Sequence, residues 1–241
     1  MMTHVFEGAE GTSEALADAL LAEIRRRPSL VMALPTGATP LPMYAALRRA
    51  AALDPDVLAQ VRTFNLDEFV GLAAEDPASY RAYMVRELFQ PVRLPVAQIG
   101  FLNGCVLDLE GECARYEEHI AAVGGLDVAV LGLGGNGHIG FNEPSTVLHA
   151  RTHVTALEES TRLANARWFG GRLERVPRQA LSMGVGTILG ARRIMLIATG
   201  AAKAAAVDGL RSGVVTTQLP ASLLQCHPDV TLWLDRDAAR S

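Results

Sequence analysis

Three cysteines, Cys105, Cys113 and Cys226, are all that the 241 residues contain, and they form neither a C-x-x-C pair nor an even set. That scarcity excludes a disulfide framework and suits a reducing compartment, where thiols are buried or idle. An excess of positive charge is missing too. The formal net charge of −4 leaves no broad basic field to neutralise a nucleic-acid backbone, although a small anionic substrate needs only a local basic pocket. The opening Met-Met-Thr-His-Val-Phe-Glu has no basic region followed by an apolar core, so no secretory signal is expected. No apolar run approaches the roughly 18 residues of a membrane span. Even the stretch from Ile194 is broken by Lys203. Neither a nucleic-acid nor a membrane partner is therefore expected, and the chain reads as cytoplasmic.

What is present is an ordinary globular balance, 49% hydrophobic and 20% charged residues, enough to bury a core without covalent staples. No internal repeat, low-complexity tract or long linker interrupts it, so residues 1–241 are read as one domain. Short aliphatic runs predict strands at Leu30–Leu34, Val61–Leu66, Asp127–Leu133, His153–Leu157, Arg193–Ala198 and Val230–Leu234. Helical periodicity predicts helices at Thr12–Arg26, Leu41–Ala52, Pro77–Phe89, Leu109–Val123, Ser160–Phe169, Gly200–Ser212 and Ala221–Cys226. This alternation argues for an α/β fold: a doubly wound, mostly parallel sheet with helices on both faces, Rossmann-like. Ligands of such sheets bind beyond the carboxyl ends of the strands, so the residues following each strand carry the functional information.

After the first predicted strand, Leu34-Pro35-Thr36-Gly37-Ala38-Thr39-Pro40 offers hydroxyls, a glycine and free amides at a helix start, the makings of an anion site. It is not a Walker loop, because no Gly-Lys-Ser/Thr follows. After the second, Asp67 and Glu68 are adjacent carboxylates whose side chains diverge, so one of them can face a cleft as a general base. The third ends in Gly132-Leu133-Gly134-Gly135-Asn136-Gly137-His138-Ile139-Gly140-Phe141-Asn142-Glu143-Pro144. Gly132, Gly134 and Gly137 satisfy G-x-G-x-x-G, with Glu158 about 20 residues further on, as a dinucleotide fingerprint requires. That motif should open a long helix, however, and Gly140 and Pro144 break this stretch. The alternative is that the glycines admit a small ligand while His138 and Glu143 face it together, a pairing suited to moving protons near neutral pH. Arg167 and Lys203 supply the two cations that an anion bound at Thr36–Thr39 would attract. His149 and His153 are four apart, but the Val-Thr-Ala-Leu after His153 reads as strand and no third ligand is evident, so a metal site is not expected.

Taken in order, Leu-Pro-Thr-Gly-Ala-Thr-Pro (34–40), Thr-Phe-Asn-Leu-Asp-Glu-Phe-Val-Gly-Leu (63–72), Asn-Gly-His-Ile-Gly-Phe-Asn-Glu-Pro (136–144) and Thr-Arg-Leu-Ala-Asn-Ala-Arg-Trp-Phe (161–169) resemble the glucosamine-6-phosphate deaminases. So do Val-Pro-Arg-Gln-Ala-Leu-Ser-Met-Gly-Val-Gly-Thr from Val176, Thr-Gly-Ala-Ala-Lys from Thr199 and Leu-Pro-Ala-Ser-Leu-Leu-Gln-Cys-His-Pro from Leu219. The resemblance implies that Asp67 removes the C2 proton of an open-chain amino sugar. It implies that His138 serves in ring opening, tuned by Glu143, and that position 136 is a further ring-opening partner. One branch carries Asp at that position; this chain carries Asn136, whose amide oxygen can still orient the imidazole. It maps the phosphate site to Thr36, Gly37, Ala38 and Thr39 with Arg167 and Lys203, and implies catalysis by side chains with no metal or redox cofactor. The Ala73–Tyr83 stretch, with Tyr80, follows the Asp67 loop and is a candidate lid.

Rival readings are a 6-phosphogluconolactonase, a galactosamine 6-phosphate deaminase or isomerase, a sugar-phosphate-sensing regulator domain, and a nucleotide-dependent oxidoreductase. The lactonases share a Gly-rich Thr-Pro loop and a Gly-x-Asp-Gly-His segment, but Phe141-Asn142-Glu143-Pro144 sides with the deaminases. A sensor would need a DNA-binding segment that the residues before Leu30 are too few to supply, and the oxidoreductase rests only on Gly132–Gly137. The hexameric branch is activated allosterically at an Arg-x-Lys-Thr stretch just after the Phe-Asn-Glu-Pro loop, with help from a longer C-terminal tail. Here that stretch is Arg151-Thr152-His153-Val154-Thr155-Ala156, and the sequence stops at Ser241. The expectation is therefore a monomer or small homo-oligomer with hyperbolic kinetics. Initial rates measured with and without N-acetylglucosamine 6-phosphate test it, and sigmoidal kinetics relieved by that compound would overturn it.

Overall fold

Residues 1–240 are described by a computed structural model. Its strands are β1 (Met2–Phe6), β2 (Val31–Leu34), β3 (Arg62–Asn65), β4 (Asp67–Phe69), β5 (Ile99–Gly100), β6 (Val128–Gly132), β7 (His153–Ala156), β8 (Gln179–Ser182), β9 (Arg193–Ala198) and β10 (Val230–Asp235). Its α-helices are α1 (Ala9–Arg26), α2 (Leu41–Leu53), α3 (Tyr80–Met84), α4 (Leu109–Ala122), α5 (Glu159–Asn165), α6 (Val185–Leu189), α7 (Ala204–Arg211) and α8 (Arg236–Ala239). Seven strands form one sheet in the order β1-β10-β9-β6-β2-β3-β5, with every neighbouring pair parallel.

Strand geometry sends successive side chains to opposite faces, and here both faces are covered. Met32 and Leu34 of β2, Val130 of β6 and Ile197 of β9 pack with Leu16 and Leu20 of α1 and Tyr44 and Leu47 of α2. Their chain neighbours Ala33, Leu131 and Leu196 join Tyr116 and Ile120 of α4 and Val207 and Leu210 of α7 in the second core. The predicted α/β class, parallel sheet and two helical layers are thus all present. α1 earns its place through Leu16, Leu20 and Ile24, one face at i, i+4 and i+8. At the start of α4, the Asp108 carboxylate accepts from the Gly111 N–H at 2.9 Å.

The structure departs from the sequence expectation in several places. The run 153–157 does form a strand, but it belongs to a separate antiparallel sheet, β4-β8-β7, in which Asp67 and His153 both pair with Ser182. The run 61–66 ends at Asn65, and the backbone turns at Leu66 into β4. Helix α3 begins at Tyr80 rather than Pro77, because Ser79 caps it, its hydroxyl accepting from the Ala82 N–H at 3.0 Å; the turn beyond, Val85–Phe89, is π-helical. The segments 200–212 and 160–169 are each part α and part 3₁₀, and Pro220–Cys226 is 3₁₀ throughout. Among the described residues, no helix is long and apolar enough to cross a membrane.

One buried carboxylate ties the ends of several strands. Asp127, just before β6, accepts from the Val31 N–H at 2.9 Å and from Arg27 at 2.5 Å, with Arg192 at 3.4 Å. Asp127→Ala leaves the Val31 amide without its acceptor, and the expected loss is about 1–3 kcal/mol of folding free energy, read from urea denaturation.

Candidate functional site

Strand order reverses at β2. From it the chain moves outward to β3 and β5, whereas β6 lies on its other side. Loops leaving β2 and β6 must therefore diverge, and a crevice opens between them. The cleft there has a volume of about 470 Å³, and Thr36, Gly37, Ala38, Thr39, Asp67, Asn136, His138, Arg167 and Lys203 all line it. Of the residues expected at the site, only Glu143 stands behind the wall, in contact with Asn136 and His138.

Asp67 and Glu68 have opposite fates. Glu68 turns into the protein, where its carboxylate accepts from the N–H groups of Phe69 at 2.8 Å, Tyr80 at 3.0 Å and Arg81 at 2.9 Å. Asp67 is equally buried, yet burial and the neighbouring Glu68 charge act on it without a compensating donor among the described residues, and its pKa rises to about 8. Glu68 also rises through burial, to about 7, with its three backbone donors pulling the other way. An unpartnered, proton-hungry carboxylate at a cleft wall is what a general base requires.

The glycine loop after β6 does not open a helix, since none follows until α5. It folds back instead: the Gly134 N–H donates to the His138 carbonyl and the Gly137 N–H to that of Gly134. A Cβ on Gly134 would stand 2.4 Å from His138 Nδ1, so the imidazole lies flat against bare backbone. Asn136 donates through Nδ2 to Glu143 Oε2 at 2.9 Å and turns its Oδ1 to His138 Nδ1 at 2.7 Å. Glu143 Oε2 is itself 3.3 Å from that nitrogen. Two acceptors at Nδ1 put the proton there and leave Nε2 as the free basic nitrogen. Burial opposes the charge on Glu143, but hydrogen bonds from His138, Thr161 and Asn136, with the attraction of His138, outweigh it and hold its pKa below the ordinary value.

At the other end of the cleft, the carbonyls of Pro35, Gly37 and Thr39 are bound from behind by the hydroxyls of Tyr44 at 2.5 Å, Tyr83 at 2.7 Å and Ser13 at 3.2 Å. The amides of residues 36–39 donate to no backbone acceptor among the described residues. Lys203 follows Gly200, whose N–H is gripped by both carboxylate oxygens of Asp235 at 3.0 and 2.9 Å. Burial depresses the Lys203 pKa and the Arg167 charge depresses it further, so two cations converge beside four free amides. That is a site for a multiply charged anion.

Some of the site escaped the sequence reading. Thr161 donates to Glu143 Oε1 at 2.5 Å, and Asn165 accepts from the Tyr80 hydroxyl at 3.2 Å. The signal was spacing: Thr161, Ala164 and Asn165 fall at i, i+3 and i+4 and share the helix face that lines the cleft. Tyr80, within the candidate lid stretch, lines the cleft. Its ring stacks on Phe141 at 5.8 Å and its amide is held by Glu68.

A family model described as glucosamine-6-phosphate isomerases/6-phosphogluconolactonase matches residues 7–233. The glucosamine-6-phosphate deaminase of Geobacillus sp. (strain WCH70) is 45% identical over 229 residues, covering 95% of this chain and 91% of its own. That of Alkaliphilus metalliredigens (strain QYMF) is 44% identical over 240 residues, covering 100% and 99%. A solved structure of a monomeric glucosamine-6-phosphate deaminase superposes with a TM-score of 0.95 at 41% identity over 99% of both chains. The 6-phosphogluconolactonase from Trypanosoma brucei, 19% identical with a TM-score of 0.75 over 99% and 97%, shares the fold.

A ¹³C NMR titration of the aspartate carboxyls is expected to show one group with an apparent pKa of about 8 that disappears in Asp67→Asn. Titration of that group near the usual carboxylate value would mean that its charge is stabilised in a way the geometry does not provide.

Proposed function

The chain belongs to the family of glucosamine-6-phosphate isomerases and 6-phosphogluconolactonase, and we propose that, as a glucosamine-6-phosphate deaminase within it, the protein turns glucosamine 6-phosphate and water into fructose 6-phosphate and ammonia in this one cleft. The observation that carries this reading is the shared cavity: a carboxylate with no hydrogen-bond partner among the described residues and an imidazole of fixed tautomer flank the same space, with the anion end beside them.

The phosphate is held by the amides of Thr36, Gly37, Ala38 and Thr39 and by Arg167 and Lys203, which fixes the reacting end without touching it. His138 Nε2 takes the proton of the anomeric hydroxyl and delivers it to the ring oxygen as the C1–O5 bond breaks, leaving an aldehyde. The imidazolium formed in between is stabilised by Glu143 and oriented by Asn136. The aldehyde acidifies the C2 hydrogen, which Asp67 removes, and O1 takes up a proton from solvent to give an enolamine. Return of a proton to C1 yields the imine at C2, and water adds there to release ammonia and leave the ketone. Each step moves protons between positioned groups.

Placement in the non-allosteric branch has support from the packing after the Glu143 loop. Glu117 of α4 accepts from the Thr152 N–H at 2.7 Å, the Thr152 hydroxyl at 2.6 Å, the Thr187 hydroxyl at 2.7 Å and Arg151 at 3.2 Å. A carboxylate at this place, with its partners engaged, disfavours a second sugar phosphate. We read the protein as a single-domain cytoplasmic enzyme acting as a monomer, in keeping with the monomeric relative.

The test is ammonia release from glucosamine 6-phosphate and from its galacto epimer, with Asp67→Asn and His138→Gln run beside the wild type. The gluco substrate is expected to be favoured by about 100-fold or more in kcat/KM. Asp67→Asn is expected to lower kcat by about 100- to 10,000-fold with little change in substrate binding. A wild type that releases ammonia only from the galacto epimer, or an Asp67→Asn enzyme with near-normal turnover, overturns the corresponding assignment.

A further inference from the structure

Glu143 has two oxygens with different employers. Oε2 receives the Asn136 amide and lies near the imidazole, inside the relay. Oε1 receives the buried hydroxyl of Thr161, which comes from a different element, α5. The chain runs from α5 directly into the 3₁₀ turn Ala166–Phe169, which carries the cation of the anion end, Arg167, six positions beyond Thr161.

α5 is anchored lightly. Only Thr161, Ala166 and Phe169 of the segment 159–169 are buried, while Leu163 and Trp168 are exposed, and two left-handed glycines follow, Gly170 with φ +69° and Gly171 with φ +76°. The segment's apolar anchors gather at the far end, where Phe169 packs on Phe69 at 5.5 Å and Trp168 on Tyr83 at 6.2 Å; the Thr161 end is held by polar contacts, Thr161 to Glu143, Arg162 to the Leu173 and Val176 carbonyls, and the Tyr80 hydroxyl to Asn165 at 3.2 Å. An end with few apolar anchors shifts at low cost about the end that is packed. Between the two is the Arg167 guanidinium, which a bound dianion would draw inward.

We propose that Thr161 is a positioning residue through which capture of the substrate phosphate at Arg167 sets the Glu143–Asn136–His138 relay for ring opening. The idea rests on the deaminase reading above. When the anion seats α5, the Thr161 hydroxyl locks Oε1 of Glu143. The carboxylate then cannot rotate, its other oxygen keeps the Asn136 amide in one orientation, and the proton stays on Nδ1 of His138. Without the hydroxyl, Oε1 is a buried acceptor with no donor, and the carboxyl turns or takes up a proton; either change releases the tautomer of His138. The phosphate thereby contributes to turnover as well as to binding.

The experiment separates phosphate from sugar. Ammonia release is measured with intact glucosamine 6-phosphate, and with free glucosamine in the presence and absence of phosphite dianion, for wild type, Thr161→Val, Thr161→Ala and Thr161→Ser. In the wild type, phosphite is expected to raise the rate on free glucosamine about 10-fold or more. The Val and Ala variants are expected to show a ratio near one, with kcat on the intact substrate down about 10- to 100-fold and KM within about threefold. The Ser variant keeps the hydroxyl and is expected to retain both the activation and most of kcat, whereas a purely structural role for the threonine would lower kcat in the Val and Ala variants and leave their phosphite ratio unchanged; Thr161→Ala covers the case in which Thr161→Val does not fold. Phosphite activation undiminished in the Val and Ala variants, absent from an active wild type, or lost equally in the Ser variant, overturns the coupling. A wild type that releases no ammonia from glucosamine 6-phosphate instead overturns the function on which it rests.

Discussion

Asn136 bonds in two directions, its amide N–H to Glu143 and its amide oxygen to the His138 ring nitrogen, and a side chain with one donor end and one acceptor end satisfies both in a single orientation. The proposed chemistry of the cleft follows from that orientation. It puts the imidazole proton on Nδ1, frees Nε2, and gives the Glu143 charge something to act on. The asparagine also resolves an electrostatic difficulty. A carboxylate in its place would lie within hydrogen-bonding distance of Glu143, and two carboxylates that close must share a proton. An amide there permits Glu143 to stay ionised.

The second half of the site is built on the opposite arrangement. Asp67 is buried with no donor among the described residues, so its charge is disfavoured, whereas Glu68, one residue on, accepts from three backbone amides. The strand pleat divides the pair: one carboxylate is left reactive, and the other becomes the clasp between β4 and α3. That clasp reaches further, because α3 also carries Tyr83, whose hydroxyl holds the Gly37 carbonyl of the anion loop. The base and the anion loop are thus fixed to the same short helix, which keeps their separation constant.

The central sheet was legible in the sequence because β2, β6, β9 and β10 are covered on both faces, and that burial demands unbroken aliphatic runs. β1, β4, β5 and β8 were not, for reasons of length and exposure: β5 has two residues, β4 has three, β1 is largely exposed, and β8 carries no β-branched residue. The strand ends led to Thr36–Thr39, Asp67, His138 and Lys203, and the structure gathers these residues, with Arg167 from the turn after α5, around one cleft. The spacing of Thr161, Ala164 and Asn165 marks a shared helix face, but the partner that Thr161 meets depends on where a helix eighteen residues beyond Glu143 returns to, and spacing does not encode that. Which of Asp67 and Glu68 faces the cleft was equally invisible in the local pattern and came only from family resemblance.

The outermost strand on one side of the main sheet pairs with a strand far later in the sequence: Met2–Phe6 align with Thr231–Asp235. During synthesis, the β2–β6 core and the cleft loops can emerge from the ribosome and associate long before β10 exists. β1 must wait throughout that time with its hydrogen-bonding edge unsatisfied. Loop closure over that distance is slow, and an unpaired strand edge is the usual seed of intermolecular pairing. The feature that completes the sheet in the finished molecule is therefore also where the nascent one is most exposed to aggregation.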